Sequence, residues 1–303
     1  MKIAFFGLPL AALLLHHDGH DVVWAALCRR DAPGVRRAKR TFGRRVRLVP
    51  DMDDPENVAR LRASRPDVVV SWFWTKKLPP KVLAVAPAFG VHPSLLPRHR
   101  GPDPYFWAID RGDRRTGVTA HRLARAYDTG ALLGARAIEV DPSWNAWTLA
   151  KRLDRPSLAL LRETAARWAT GGPLAGRPQP KRGVTLAPSP TDDALELRWR
   201  WSADRIVRRV RAAAPWPGAF TSIGDRTIVV VEAVATDRFP RALRAGEAAV
   251  VDGVLVVRAG DRGVRLLRGR SEDTEVELDS RALAGLLTKP VRSRSLAKRG
   301  GVE

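Results

Sequence analysis

The sequence predicts an α/β fold: a parallel, doubly wound sheet followed by a small β-barrel. Three observations predict it. Apolar runs ending in Gly or turn residues alternate with helical patterns through the first half of the chain. Asp67–Phe73 (DVVVSWF) is a continuous β-branched run bounded by Pro66 and a basic turn, as expected of a strand covered on both faces. From Ala203 onward a short helix leads into several short strand patterns, with turns at Asp225, Gly246, Asp252-Gly253 and Gly260.

The elements follow in order. Lys2–Gly7 reads as a strand, Leu10–His17 as a helix, Asp18-Gly19 as a turn and Asp21–Leu27 as a second strand. Cys28–Arg47 is polar and very basic, and reads as a loop or a poorly formed helix. Asp54 is placed to cap a helix over Pro55–Ser64. Further strands are expected at Ala88–Val91, Gly117–Leu123 and Leu132–Val140. Trp144–Trp168 is a long helical stretch that Pro156 should kink or divide. Ala169–Pro190 is rich in Gly and Pro and reads as a linker. The expected organisation is a catalytic domain over 1–168, a linker over 169–202, a β-barrel domain over 203–290 and a basic tail over 291–303.

Composition narrows the function classes. The 303 residues are 45% hydrophobic, enough for a sizeable core. No apolar run approaches the roughly 20 residues that span a bilayer, and the apolar start reads as strand, turn and helix rather than as a signal peptide. The chain is therefore taken as cytoplasmic, with no membrane partner. The single Cys28 excludes an intrachain disulfide framework and supplies no zinc cluster, so no metal is expected. There is no GxGxxG, so a nicotinamide cofactor is not supported. The net charge of +21 favours polyanionic partners, although an Arg-rich coding bias produces the same excess. The sequence carries no signal of oligomeric state.

Two stretches carry chemistry. FGVHPSLLPRHRG (Phe89–Gly101) places His92 at the carboxyl end of a central strand, where ligands bind in open α/β sheets. The prolines and Gly101 stiffen that loop around a side chain that titrates near neutral pH. AYDTGALL (Ala126–Leu133) exposes Asp128 at the tip of a strand-connecting loop; an Asx-turn would use the same residues. The Asp-Thr-Gly of aspartic proteases is a weak rival, because that chemistry needs two carboxylates sharing a proton and the chain has one such motif.

Together HPSLLPRHRG, TGVTAHRL (Thr116–Leu123), YDTGALL and APWPGAF (Ala214–Phe220) resemble the folate-dependent formyltransferases. FFGLP (Phe5–Pro9) and DVVVSWFWTKKLP (Asp67–Pro79) extend the resemblance over nearly the whole chain. The resemblance implies a Rossmann-like formyltransferase domain followed by an OB-like β-barrel. It implies 10-formyltetrahydrofolate as donor, a primary amine as acceptor, and an Asn, a His and an Asp as the active centre. His92 and Asp128 match the His and the Asp; the position of the Asn is Gly90. Hydrogen-bond donors are wanted because the attacked formyl carbon develops an oxyanion, and losing one typically slows such a step about a hundred- to a thousandfold. An ordered water in the space above Gly90 is one expected substitute; a degenerate, non-catalytic binding module is the other reading. The resemblance also places Trp72, Phe73 and Trp74 in the donor pocket. Ser94, Leu95, Leu96, Pro97, Arg98, Arg100, Thr129 and Gly130 fall around donor or acceptor, with the arginines suited to a phosphate or carboxylate.

Two acceptors fit. Methionyl-tRNA suits the net charge and the basic run Arg29–Arg45, which falls where methionyl-tRNA formyltransferases carry a basic loop. A nucleotide-linked amino sugar suits TGVTAHRL and SWFW. The balance of charge favours tRNA.

Overall fold

A computed structural model describes residues 1–224 and 226–287 of the protein. The expected turn at Asp225 and the expected basic tail lie outside the described residues. Strands and helices follow the chain as β1 (Lys2–Gly7), α1 (Pro9–His17), β2 (Asp21–Leu27), α2 (Val35–Phe42), β3 (Val46–Leu48), α3 (Pro55–Ala63), β4 (Val68–Trp72), α4 (Pro80–Leu83) and β5 (Ala88–His92). Then come α5 (Pro104–Arg111), β6 (Arg115–Arg122), β7 (Leu132–Glu139), α6 (Ala146–Gly171), α7 (Asp192–Leu195) and α8 (Ala203–Ala213). The chain continues with β8 (Ala219–Ile223), β9 (Arg226–Thr236), β10 (Ala248–Val251), β11 (Val254–Arg258), β12 (Gly263–Ser271), β13 (Glu277–Asp279) and α9 (Ser280–Ala284). No helix among the described residues is long and apolar enough to cross a membrane.

The chain forms two compact units. The first comprises Met1–Pro104, Arg115–Glu139 and Ala150–Pro188. Its sheet runs β3-β2-β1-β4-β5-β6-β7. The first five positions are parallel, and β6 and β7 are antiparallel to their neighbours. The sheet is thus parallel-rich, with an antiparallel edge that brings the β6–β7 loop back to β5. The buried β-branched and aromatic runs of β1, β2 and β4 form its centre. Two tryptophans bind α6 to the sheet: Phe89 stacks on Trp168 at 5.1 Å, and the Trp72 indole donates to Ser157 Oγ at 2.7 Å.

Of the two readings of the basic segment after Cys28, the helical one holds over Val35–Phe42, because Val35, Ala38 and Phe42 recur at helical spacing and are buried. Its cations, Arg36, Arg37, Lys39 and Arg40, take the exposed face. Pro156 does not divide the long helix, since α6 runs through it. As expected, the Asp54 carboxylate caps α3 by accepting from Glu56 N at 2.9 Å.

The second unit comprises Tyr105–Arg114, Val140–Leu149 and the chain from Ser189. Its antiparallel sheet runs β10-β11-β12-β9-β8, with β13 on β12. Helix α8 buries Ala203, Ile206, Val210 and Ala213 on one stripe. It also buries Arg209, whose guanidinium grips Asp110 of α5 at 2.6 and 3.0 Å and lies between the rings of Phe106 and Trp201. Removing one partner leaves the other charge buried and uncompensated. Asp110→Ala is therefore expected to destabilise the fold by about 3–5 kcal/mol, and Asp110→Leu with Arg209→Met to recover much of the loss. Chemical denaturation of the single and double variants checks this; a cost near zero for the single variant would contradict it.

Candidate active site

The site is built on one face of β5 and β6. Gly90 lies opposite His121 and His92 opposite Thr119, so these four positions share a face. Thr119 is inward and serves the loop: its hydroxyl donates to Ser94 O at 2.6 Å and accepts from Leu96 N at 3.1 Å. The loop after β5 is held further by Ser94 Oγ donating to Arg98 O at 2.6 Å. Its outer side is pinned by the segment after Gly183. Arg100 N donates to Thr185 O at 2.9 Å, Ala187 N to Arg100 O at 2.7 Å, and His99 N to Thr185 Oγ1 at 2.8 Å.

Asp128 reaches this face from the β6–β7 loop. It adopts a left-handed conformation, φ 54°, a strain of order 1–3 kcal/mol for a non-glycine residue that its surroundings must hold. Gly130 accommodates the tight return, since a Cβ there would lie 1.8 Å from Arg122 O. Thr129 Oγ1 donates to Ala126 O at 3.0 Å. Gln179 fastens the loop from outside: its amide donates to Asp128 O at 2.7 Å and Gly130 O at 2.8 Å, while its oxygen accepts from both Arg100 Nε and a terminal guanidinium nitrogen at 3.1 and 2.6 Å.

The carboxylate so placed meets two imidazoles. His92 Nδ1 is 3.5 Å from Asp128 Oδ2, and His121 Nε2 is 3.4 Å from Oδ1. Gly101 N donates to Oδ2 at 2.9 Å. The other nitrogen of each ring is held by a backbone carbonyl: His92 Nε2 by His99 O at 2.7 Å, and His121 Nδ1 by Arg122 O at 2.9 Å. The contacts to the carbonyls and to Gly101 N have hydrogen-bond length. The contacts between the rings and the acid are longer than the usual 2.7–3.2 Å, so lone pairs of the acid stay available. Burial pushes the His121 imidazole down to about 4, against the upward pull of Asp128.

Of the expected site residues, Trp74 and Asp128 border one cavity and Arg100 and Thr129 border another. A crevice of about 100 Å³ is bordered by Ser71, Trp74, Leu123, Tyr127 and Asp128. A larger cavity of about 530 Å³ is bordered by Arg100, Thr129, Gln179 and Lys181. The buried Trp74 Nε1 has no hydrogen-bond partner among the described residues. Other expected site residues fall elsewhere. Trp72 is 4% exposed, with its indole nitrogen spent on Ser157, so it is core rather than pocket wall. Phe73 packs edge-on against Trp72 at 4.5 Å. Leu96 is buried, Leu95 and Pro97 are half-buried in the loop, and Arg98 is exposed.

A Cβ at Gly90 would lie 3.0 Å from Ser71 O and 3.2 Å from Leu123 Cδ2, tighter than ordinary contact. Sequence reading took His121 only as part of the TGVTAHRL resemblance and did not select Gln179, which sits in the Gly- and Pro-rich stretch, where nothing marks it.

A buried imidazole beside a carboxylate, at a strand end next to a crevice, is an arrangement suited to moving a proton. A profile of the formyl transferases matches residues 23–164, and one of the formyl transferase C-terminal domain matches residues 191–278. Methionyl-tRNA formyltransferase of Anaeromyxobacter dehalogenans strain 2CP-C is 35% identical over 298 residues, covering 93% of each chain. The enzyme of the same name from Acidiphilium cryptum is 35% identical over 284 residues, covering 88% of this chain and 90% of its own. The fold is shared with HypX from Aquifex aeolicus, solved with tetrahydrofolic acid (TM-score 0.66, 18% identity, 98% of this chain and 50% of that one). It is shared too with an N-formyltransferase from Helicobacter canadensis (TM-score 0.63, 13% identity, 88% and 98%). The chain belongs to the formyl transferase family and is a formyltransferase.

Two outcomes follow from the site. The folded state keeps His121 neutral below its ordinary value of 6.5, so the unfolded chain binds the extra proton first and stability falls as pH drops from about 6.5 to about 4. The loss is on the order of 3 kcal/mol. His121→Phe should flatten that window in urea titrations at several pH values; an unchanged slope would contradict it. Gly90→Asn is expected to overpack the site and cost about 1–3 kcal/mol, with Leu123→Ala in the same chain restoring stability. Gly90→Asn without loss of stability would contradict the packing described.

Proposed function

We propose that the protein transfers the formyl group of 10-formyltetrahydrofolate to the aminoacyl amine of methionyl-tRNA. The observation that carries the chemistry is the convergence of His92 and Asp128 beside the crevice that Asp128 borders. The donor's ring system enters beside Trp74, whose unpartnered indole N–H meets a ring heteroatom, and the crevice widens to take it. The amine approaches from the side of Arg100 and Lys181. It attacks the formyl carbon, the imidazole of His92 donates to the developing oxyanion, and Asp128 takes the amine proton. The bond from carbon to N10 of the folate then breaks, and N10 leaves with the proton that Asp128 took from the amine.

The tRNA acceptor is favoured by the relatives of that name along most of the chain. The outer face of α2 supports the same reading. Four exposed cations on one ordered helix present to a phosphate backbone what a loop would present only loosely. The alternative acceptor, an amino sugar carried on a nucleotide, needs few cations and is an arm of the test.

Purified protein is incubated with 10-formyltetrahydrofolate and, in parallel, methionyl-tRNA or an amino-sugar nucleotide, and products are read by mass spectrometry. A gain of one formyl group on the tRNA-linked methionine is expected, with His92→Ala and Asp128→Asn slowing it about a hundredfold or more. Replacing Arg36, Arg37, Lys39 and Arg40 by Ala should weaken tRNA binding and reduce its logarithmic salt slope by about 2 to 4. Formylation of the sugar alone, or an unchanged salt slope, would overturn the acceptor assignment.

A further inference from the structure

The crevice beside Trp74 has a cationic rim that nothing neutralises. Lys76 and Lys77 border it from the segment that follows β4, and Ala126 and Tyr127 border it from the β6–β7 loop. Both lysines are exposed. Neither ammonium has a carboxylate partner among the described residues; Lys77 Nζ instead lies over the Tyr127 ring, 5.6 Å from its centroid. The carboxylate that borders the crevice, Asp128, is engaged elsewhere. It accepts from Gly101 N and faces His92 and His121. Burial therefore grades the crevice, from the unpartnered indole N–H of Trp74 inside to two ammoniums at the surface.

The rim is also where the crevice must open. A volume of about 100 Å³ holds only a few waters at about 30 Å³ each, so a bicyclic ring system enters only when the walls part. Lys77 and Tyr127 join the two walls at the surface. A cation–π contact between exposed side chains is weak, because water competes for the ammonium. A carboxylate is a stronger partner for the same group.

We infer that Lys77, with Lys76 beside it, selects the donor by the carboxylates of its glutamyl tail, and exchanges the Tyr127 ring for an ion pair as the donor enters. The inference rests on the formyl-transfer reading and deepens it by giving the outer part of the crevice a ligand chemistry. A donor whose ring system lies beside Trp74 carries its acids at the opposite end. That end presents to the rim the charge the rim lacks. No covalent bond changes in the exchange. Lys77 sets specificity and takes no part in the transfer of the formyl group.

The test measures binding to the full-length protein and needs no turnover. Two probes are titrated at low and high salt with tryptophan fluorescence as the signal: 5-formyltetrahydrofolate, and its analogue truncated to the tetrahydropteroate, which lacks the glutamyl group. The wild type is expected to bind the glutamyl compound about 3- to 10-fold more tightly at low salt, and the advantage should shrink as salt is raised. Lys77→Met should remove most of the advantage and leave the affinity for the truncated compound little changed, which also shows that the variant is folded. Lys77→Glu should reverse the preference. Equal affinity of the wild type for both compounds would overturn this inference alone, as would an advantage that survives in the double variant Lys76→Met with Lys77→Met. Binding of neither compound would overturn the functional reading together with it.

Discussion

One carboxylate held in a strained turn organises this site. Asp128 occupies left-handed backbone space that a non-glycine residue enters at a cost. It is kept there by Gln179 on its backbone and by Gly101 on its side chain. The loop from β5 and the loop from β6 to β7 would otherwise have no reason to meet. The segment around Thr185 and Ala187 secures one loop, Gln179 secures the other, and Arg100 bonds the same Gln179. The imidazole and the acid are thus preorganised by backbone hydrogen bonds, which rearrange little when charge moves. Asp128 borders one cavity, and Gln179 and Arg100 border another.

Gly90 is closely packed. Leu123 and Ser71 stand over the strand there, and a histidine lies across from the glycine. The polar group at this point of the sheet comes from the neighbouring strand, and burial favours neutral His121.

Much of this was legible in the sequence, for physical reasons that can be named. Val68–Trp72 has no polar residue until Ser71, so it reads as a buried strand in any context. Asp54 before Pro55 announces the start of α3. His92 and Asp128 stand out because prolines and glycines surround them. The rest depended on partners distant in sequence. Helix α2 could not be told from a loop because its cations outnumber a sparse apolar stripe of Val35, Ala38 and Phe42, which means little until a core exists to receive it. Trp72 looked like a pocket aromatic, and only Ser157, far along the chain, shows that it is core. Gln179 lies in a stretch whose composition says linker, while its role comes from two carbonyls on another loop. His121 needed the strand register to reveal that it faces the acid.

The most direct test of the account is a crystal structure with a stable analogue of 10-formyltetrahydrofolate. Bound in the crevice beside Trp74, the analogue should bring its formyl oxygen to about 2.7–3.1 Å from His92 Nδ1, with Asp128 still at the border of that crevice. A folate seated elsewhere, or a formyl group beyond contact with both His92 and Asp128, would contradict the assignment of this site.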